Sequence, residues 1–382
     1  GFERVVGYYR SMITGGTTYF CRQKRFLHKD MAQVQPTALV GVPEIYERYH
    51  RELNRRLGYQ SAFSRQLVRF TINLGWSVFQ HQQGLERKHL RHMLWPLLRV
   101  TVAARCLRVL GGRLDTAVSG AAALSPPVAR TMIGLGINLL QGYGLTEAGP
   151  VVSVNRRDNN DPQSVGLLLD GVEIRIGADN ELMIRSPGVM QGYWRDEAAT
   201  AKAIDSTGWL HTGDKISRLE QQRLYLTGRV KEIIVMTTGE KASPEPIEQL
   251  LQSDPLVGRV VVVGEARPYL AAIINCSQDA LNKELLALGL SSKTMDQRHN
   301  SRMERALLKR FSARLRDYPK HSQIRRIAIT TEDWSVDNKL LTATGKARRR
   351  QVARHYHQTV ERLYGRGPTP QKTDSSYNVN VG

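Results

Sequence analysis

Residues 134–150 read GLGINLLQGYGLTEAGP, and the rest of the chain is best understood outward from this stretch. The run Ile137–Gln141 has the length and composition of a strand, and it delivers Tyr143-Gly144-Leu145-Thr146-Glu147. These five residues set an aromatic face, a hydroxyl and a carboxylate side by side in a glycine-flanked turn. Such a turn can stack a planar base and aim oxygen ligands at a Mg²⁺-bound phosphate, while glycine allows backbone geometry that a side chain forbids. On their own the five residues also fit a plain surface turn after a buried strand.

The flanking sequence supports the first alternative. A strand-like run, Thr116–Ser119, leads to Gly120-Ala121-Ala122-Ala123-Leu124, and Ser125-Pro126-Pro127 then opens a helix by the cap-and-proline rule. Strand, helix, strand with small residues at the tips is α/β logic, and ligands of such folds sit outside the strand ends. Further upstream, Ala38–Val42 reads as a short strand and Pro43 as the start of a helix. Residues 61–98 are basic and helical in texture, with Trp76, Phe79 and Trp95 interleaved as core or helix contacts; Trp76 in an acyl channel is the minor alternative. Thr14-Gly15-Gly16-Thr17-Thr18 has only a superficial likeness to a phosphate loop. It lacks the glycine and lysine that would complete a cradle, and it reads as a turn between helix and strand.

After Pro162 the texture changes to short alternating runs, Val172–Ile176 and Glu181–Arg185, which read as hairpins of a smaller sheet or distorted barrel. A strand at Leu224–Leu226 ends on Thr227-Gly228-Arg229, where the boundary between domains is expected. Beyond it, Lys231–Met236 reads as a strand leading to Gly239-Glu240-Lys241. A helix at 244–252, strands at 259–263 and 270–274, a charged helix at 302–315 and a strand at 324–329 complete a small α+β domain. The expected domains are therefore 1–228 and 229–366, followed by a polar, disordered tail at 367–382.

Composition bounds the function without choosing it. Lysine and arginine number 55 against 35 acidic residues, a formal charge of +20 that favours anionic partners: nucleotides, coenzyme phosphates, acidic lipid surfaces or nucleic acid. No zinc spacing, helix-turn-helix signature or RNA-binding aromatic motif accompanies that charge, so it alone supports a nucleic-acid-binding module. Three scattered cysteines, Cys21, Cys106 and Cys276, suggest neither a disulfide framework nor a zinc cluster and make a reducing compartment the default. No run approaches the ~20 apolar residues of a membrane span. The chain opens on Gly1 rather than methionine, and Phe2–Tyr9 reads as the middle of an element, so a fragment or processed product is expected.

Taken in order, these motifs resemble the adenylate-forming acyl-activating superfamily, and within it the long-chain fatty acyl-CoA synthetases, from Phe2 to about Arg350. Leu110-Gly111-Gly112-Arg113, Ser119-Gly120-Ala121-Ala122 and Tyr143–Glu147 are similar to the family's nucleotide wall. Gly208–Asp214 is similar to its ribose-binding segment, Gly228–Glu232 to its interdomain hinge, and Leu341–Lys346 to the loop that carries its catalytic lysine. The opening Phe-Glu-Arg and Val42-Pro43-Glu44 favour the long-chain branch.

The resemblance implies an α/β acyl-CoA synthetase-like large domain, incomplete and with a smaller β subdomain, joined to a small mobile α+β C-terminal domain. It implies ATP, Mg²⁺ and coenzyme A as the reaction's companions, and ATP-dependent activation of a long-chain fatty acid through acyl-AMP to acyl-CoA. An acyl-AMP ligase, a medium-chain or aryl ligase, and an inactive fragment stand as alternatives. By the same resemblance Lys346, Thr146 and Glu147 are catalytic and Glu147 binds Mg²⁺. Gly120, Ala121, Ala122, Tyr143 and Gly144 border the adenine, Asp214 and Arg229 meet ribose or phosphate, and Gly239 lines the way in for coenzyme A. Trp209 is assigned a structural role and His211 a structural or positioning one, because the acid to be activated is already ionised. The basic run Arg348-Arg349-Arg350 invites a competing reading of the lysine loop as a solvated charged surface. The family's phosphate loop would lie upstream of residue 1, with roughly the first third of the enzyme. A cytoplasmic location is implied, and contact with an anionic membrane at its inner face is left open.

Overall fold

The computed structural model describes residues 3–23, 26–290, 297–342 and 345–365. The tail expected at 367–382, and Ala343 and Thr344 of the lysine loop, lie outside the described residues. The chain divides into two compact units between Val230 and Lys231. Among the described residues no helix is long and apolar enough to cross a membrane.

The large unit is built on nine strands: β1 (Ala38–Gly41), β2 (Thr116–Ser119), β3 (Asn138–Tyr143), β4 (Ser153–Val154), β5 (Leu167–Leu168), β6 (Glu173–Ile176), β7 (Glu181–Arg185), β8 (Leu210–Glu220) and β9 (Arg223–Arg229). Their order across the sheet is β1-β2-β3-β4-β5-β9-β8-β7-β6. The first three are parallel, with Ala38 opposite Thr116 and Thr116 opposite Asn138. From β3 onward the pairing is antiparallel. The hairpins expected to form a smaller sheet are thus hydrogen-bonded onto the parallel strands through the two-residue β4.

The β2–β3 crossover is the helix Pro126–Gly134, which packs on the long helix Ala62–Gln82. Two glycines let those helices touch: a Cβ on Gly75 would lie 2.2 Å from the Gly134 carbonyl oxygen, and one on Gly134 would lie 2.4 Å from the Ile72 oxygen. Pro126 starts the helix as its fixed φ and missing N–H allow, but the Ser125 side chain makes no capping bond. Its hydroxyl is instead buried without a partner. Tyr46, Tyr49, Met132, Leu135, Ile137 and Leu139 form the core beneath the parallel strands. Trp76 packs at the edge of that core beside Phe79, with the Arg130 guanidinium 5.6 Å from its ring, which is the core role. The stretch Thr14–Thr18 closes a short helix, Arg10–Thr14, and the next element is another helix, Leu27–Val34, not a strand.

The small unit holds the hairpin β10 (Ile234–Val235) and β11 (Lys241–Ala242) and a three-stranded sheet of β12 (Arg259–Val263), β13 (Leu270–Asn275) and β14 (Ile324–Thr330). The strand expected at 231–236 shrinks to β10 because Val230–Glu232 coils into a 3₁₀ turn. Side chains alternate across a pleated strand. Val260, Val262, Ala272 and Ile274 therefore face one core, with Ile247, Leu307 and Phe311, while Val261, Val263, Ala271 and Ile273 face a second, with Trp334, Leu341 and Val352. That second layer is closed by the helices Arg349–His355 and His357–Leu363, hidden in the sequence by their high charge.

Candidate active site

In the large unit the parallel strands β2 and β3 end side by side, with Ser119 opposite Gln141. Gly120, Ala121 and Ala122 follow the tip of β2; Tyr143 and Gly144 stand at the tip of β3. Ala121 takes φ +69°, a left-handed conformation costly for a side-chain-bearing residue and one that re-aims the loop sharply. Gly144 cannot be replaced without rebuilding, because a Cβ there would lie 1.8 Å from the Pro150 carbonyl oxygen. Thr146 and Glu147 then sit in a 3₁₀ turn, Thr146–Ala148.

Asp214 enters from β8, directly opposite Arg229 of β9. Asp214 lies within the strand itself. The Tyr143 hydroxyl donates to Asp214 Oδ2 at 2.7 Å, and Arg229 Nε donates to Oδ1 at 3.1 Å. Asp214 is 9% exposed, whereas the Arg229 side chain is 59% exposed. Burial, then the neighbouring Asp214 charge, pushes the Tyr143 hydroxyl well above the usual phenol range, so it remains a donor at neutral pH. Tyr143, expected to pack its ring on adenine, thus also uses its polar end to fix a carboxylate.

Two residues that the sequence reading passed over hold this constellation. Tyr193 donates its hydroxyl to Glu147 Oε1 at 2.8 Å. Glu181 accepts from the Gly213 N–H at 2.9 Å and lies 2.9 Å from His211 Nδ1, fixing the backbone just before Asp214. Only the aromatic pair Tyr193-Trp194 after Gly192 hinted at the first; nothing local marked Glu181. The guanidiniums of Arg175 and Arg185 each lie 4.8 Å from the Trp209 ring centroid.

A Mg²⁺ ion fits this arrangement only as a companion of a phosphate. Among the described residues no cluster of three or more metal-binding side chains exists. Glu147 is a half-buried carboxylate with its Oε1 engaged by the Tyr193 hydroxyl. One carboxylate plus substrate phosphates is an ordinary Mg²⁺ ligand set.

In the small unit Gly239 takes φ +82° at the tip of the β10–β11 hairpin, a conformation that favours glycine. Lys346 lies in a tight loop: the Thr342 N–H donates to the Lys346 carbonyl at 2.8 Å, and the Lys346 N–H to Thr342 Oγ1 at 3.0 Å. Leu341 and Ala347 bridge its base. Lys346 Nζ is 2.7 Å from Glu245 Oε1. Its basic neighbours divide. Arg348 and Arg350 are exposed, but Arg349 is not part of a solvated run. It clasps Glu248 with both terminal nitrogens and reaches Glu232 at 3.5 Å. Burial pushes the Glu248 carboxyl up, and the Arg349 guanidinium works against that shift.

A sheet whose parallel strand tips carry glycine- and alanine-rich turns beside a fixed carboxylate and guanidinium, followed by a separate α+β unit, defines a mixed α/β protein of the adenylate-forming fold. The chain belongs to the AMP-binding enzyme family, matching it over residues 1–194 and matching the AMP-binding enzyme C-terminal domain over residues 231–367. It is 27% identical over 410 residues to the probable acyl-activating enzyme 16, chloroplastic, of Arabidopsis thaliana, covering 95% of this chain and 56% of that protein. It is 28% identical over 349 residues to the long-chain-fatty-acid–CoA ligase FadD15 of Mycobacterium bovis, covering 88% of this chain and 56% of that one. The chain thus spans little more than half the length of these relatives. Among solved structures, the adenylation domain of a carboxylate reductase from Mycobacterium chelonae superposes with a TM-score of 0.70 at 22% identity, over 92% of this chain and 50% of the other.

Proposed function

We propose that the complete protein activates a long-chain fatty acid in two steps, with ATP and coenzyme A. In the first, a carboxylate oxygen attacks the α-phosphorus of ATP and expels pyrophosphate; in the second, the coenzyme A thiol attacks the acyl carbon and expels AMP. The observation that carries the reading is the convergence of Tyr143, Asp214 and Arg229 beside the turns at 120–122 and 143–147. The long-chain acid and the thiol acceptor are supported by the names of the ligases to which the chain is similar.

In this reading Asp214 accepts the ribose hydroxyls, and Arg229 meets ribose or phosphate with its planar guanidinium. Gly120, Ala121, Ala122 and Gly144 let the backbone pass close to the base, against which Tyr143 packs. Thr146 contacts phosphate. Glu147, oriented by Tyr193, holds Mg²⁺ together with the phosphates; the ion supplies charge neutralisation of the triphosphate when bound. Lys346 supplies a fixed cation to the charge that develops at the α-phosphate. Gly239 borders the path of coenzyme A. A peripheral contact with anionic lipid, consistent with the excess positive charge, would suit delivery of the acid.

Lys346→Ala in the complete protein tests the assignment. Loss of one well-placed cation costs ~3–4 kcal/mol of transition-state stabilisation, a hundredfold to thousandfold in rate. Pyrophosphate exchange should fall by that factor, while thioester formation from supplied acyl-AMP should stay near wild type. Equal losses in both half-reactions would remove Lys346 from the adenylation step. Best turnover on benzoate-like acids, or adenylate accumulation without dependence on coenzyme A, would overturn the substrate reading.

A further inference from the structure

We propose that Glu245 is a positioning residue for Lys346, holding the lysine ammonium on the small unit's own surface until it is exchanged for an anionic phosphate. The inference rests on the reading of Lys346 given above and adds a partner to it.

The geometry is a pair of rungs. Glu245 and Glu248 lie one turn apart on the helix Pro244–Leu251, and Lys346 and Arg349 lie three residues apart on the segment that faces it. Glu248 takes Arg349 and Glu245 takes Lys346. The rungs differ in depth. The Arg349 and Glu248 side chains are 18% and 13% exposed, and Glu248 also accepts the Val262 N–H at 2.7 Å. That rung is doubly bonded and shielded, so it sets the register. In the other, the Lys346 side chain is 45% exposed against 18% for Glu245. A single contact to a half-exposed ammonium is weak and solvent-screened, and therefore reversible. Glu245 itself stands in the first helical turn, where a carboxylate is favoured by the helix dipole, so it is the lysine that is free to leave.

The backbone under Lys346 is fixed independently of Glu245. Arg259 donates to the Gly345 carbonyl at 2.5 Å, and the Thr342–Lys346 bonds close the loop. Only the side chain has to change partners. Glu245 then competes with the α-phosphate for the same ammonium, lowering the fraction of lysine available to adenylation and leaving the thiol-transfer step untouched.

Glu245→Gln separates this role from a structural one. In the 382-residue chain, acetylation of Lys346 by an N-hydroxysuccinimide ester, followed by mass spectrometry, should become about twofold to fivefold faster, the range expected for release of one exposed ion pair. Lys320, exposed and distant in sequence, should be unchanged. In the complete protein, pyrophosphate exchange should rise by about twofold to fivefold, with thioester formation from supplied acyl-AMP unaltered. Unchanged labelling of Lys346 would show that the pair is not held in solution and would overturn the proposal. Faster labelling with unchanged or slower exchange would overturn it too, because Glu245 would then not compete with phosphate. Lys346→Ala assayed alongside distinguishes the two failures: if that variant exchanges pyrophosphate normally, it is the reading of Lys346 that fails.

Discussion

Tyr143→Phe removes one oxygen from the site and leaves the ring where it is. The lost bond is the 2.7 Å donation to Asp214, whose other oxygen keeps Arg229. A hydrogen bond to a charged group contributes ~1.5–3 kcal/mol. Here the lower half of that range is expected, because the exposed Arg229 edge lets water take up the vacated acceptor. If Asp214 must be held in one rotamer to receive ribose, about 1.5–2 kcal/mol should be lost from nucleotide affinity, on the order of tenfold to thirtyfold in Kd. Folding stability should drop by a comparable amount, about 1.5–2 kcal/mol. Calorimetric titration of AMP into the complete protein, with thermal unfolding alongside, measures both. Because Tyr143 is held protonated by burial and by Asp214, the wild-type affinity should show no titration of this hydroxyl between about pH 7 and pH 9. A double cycle with Asp214→Asn should be strongly non-additive. AMP binding within twofold of wild type, or additive losses in the cycle, would refute the claim that Tyr143 acts through Asp214.

Arg349→Ala leaves Glu248 buried without its cation and should destabilise the small unit by about 3–4 kcal/mol, whereas Arg350→Ala, at an exposed position, should stay within about 0.5 kcal/mol. Hydrogen exchange across β12 and β13 reads the difference, and equal effects would return Arg349 to the solvated run. The large unit should weaken in mild acid through His50, whose pKa burial lowers from 6.5 to about 4. Between those values the unfolded chain binds a proton that the folded chain refuses, so stability falls as pH drops from about 6.5 to about 4 and levels off below. His50→Gln should flatten that part of a pH series of unfolding midpoints.

Periodicity and punctuation exposed most of the frame. The parallel strands β2 and β3, the crossover begun at Pro126 and the alternating valines of β12 were legible because each rests on a local rule: strand length, proline geometry, side chains on opposite faces. Long-range pairing was not. The segment around Asp214 was given no strand, yet it is the interior of β8, whose partners β7 and β9 lie in other stretches of sequence. The positions of Tyr143, Asp214 and Arg229 could be named one by one, but the bonds that join them span 71 and 15 residues and leave no local trace. Tyr193 and Glu181 were missed for the same reason: an ordinary side chain becomes a positioning group only when the fold brings the residue it holds within reach.

The sharpest case is the basic segment at the end of the small unit. Lys346, Arg348, Arg349 and Arg350 are indistinguishable by charge, and a run of like charges usually means a solvated face. What separates them is a helix 101 residues earlier, whose two glutamates are spaced to take Lys346 and Arg349. A buried cation needs a paired anion, so Arg349 can be inside only because Glu248 is there. Once that pair is fixed, its helical start at Arg349 carries Val352 into the core. Lys346 remains half-exposed on a loop whose backbone is already tied down. One residue of the run is thereby committed to folding and another left at the surface, a division made by depth of burial rather than by charge.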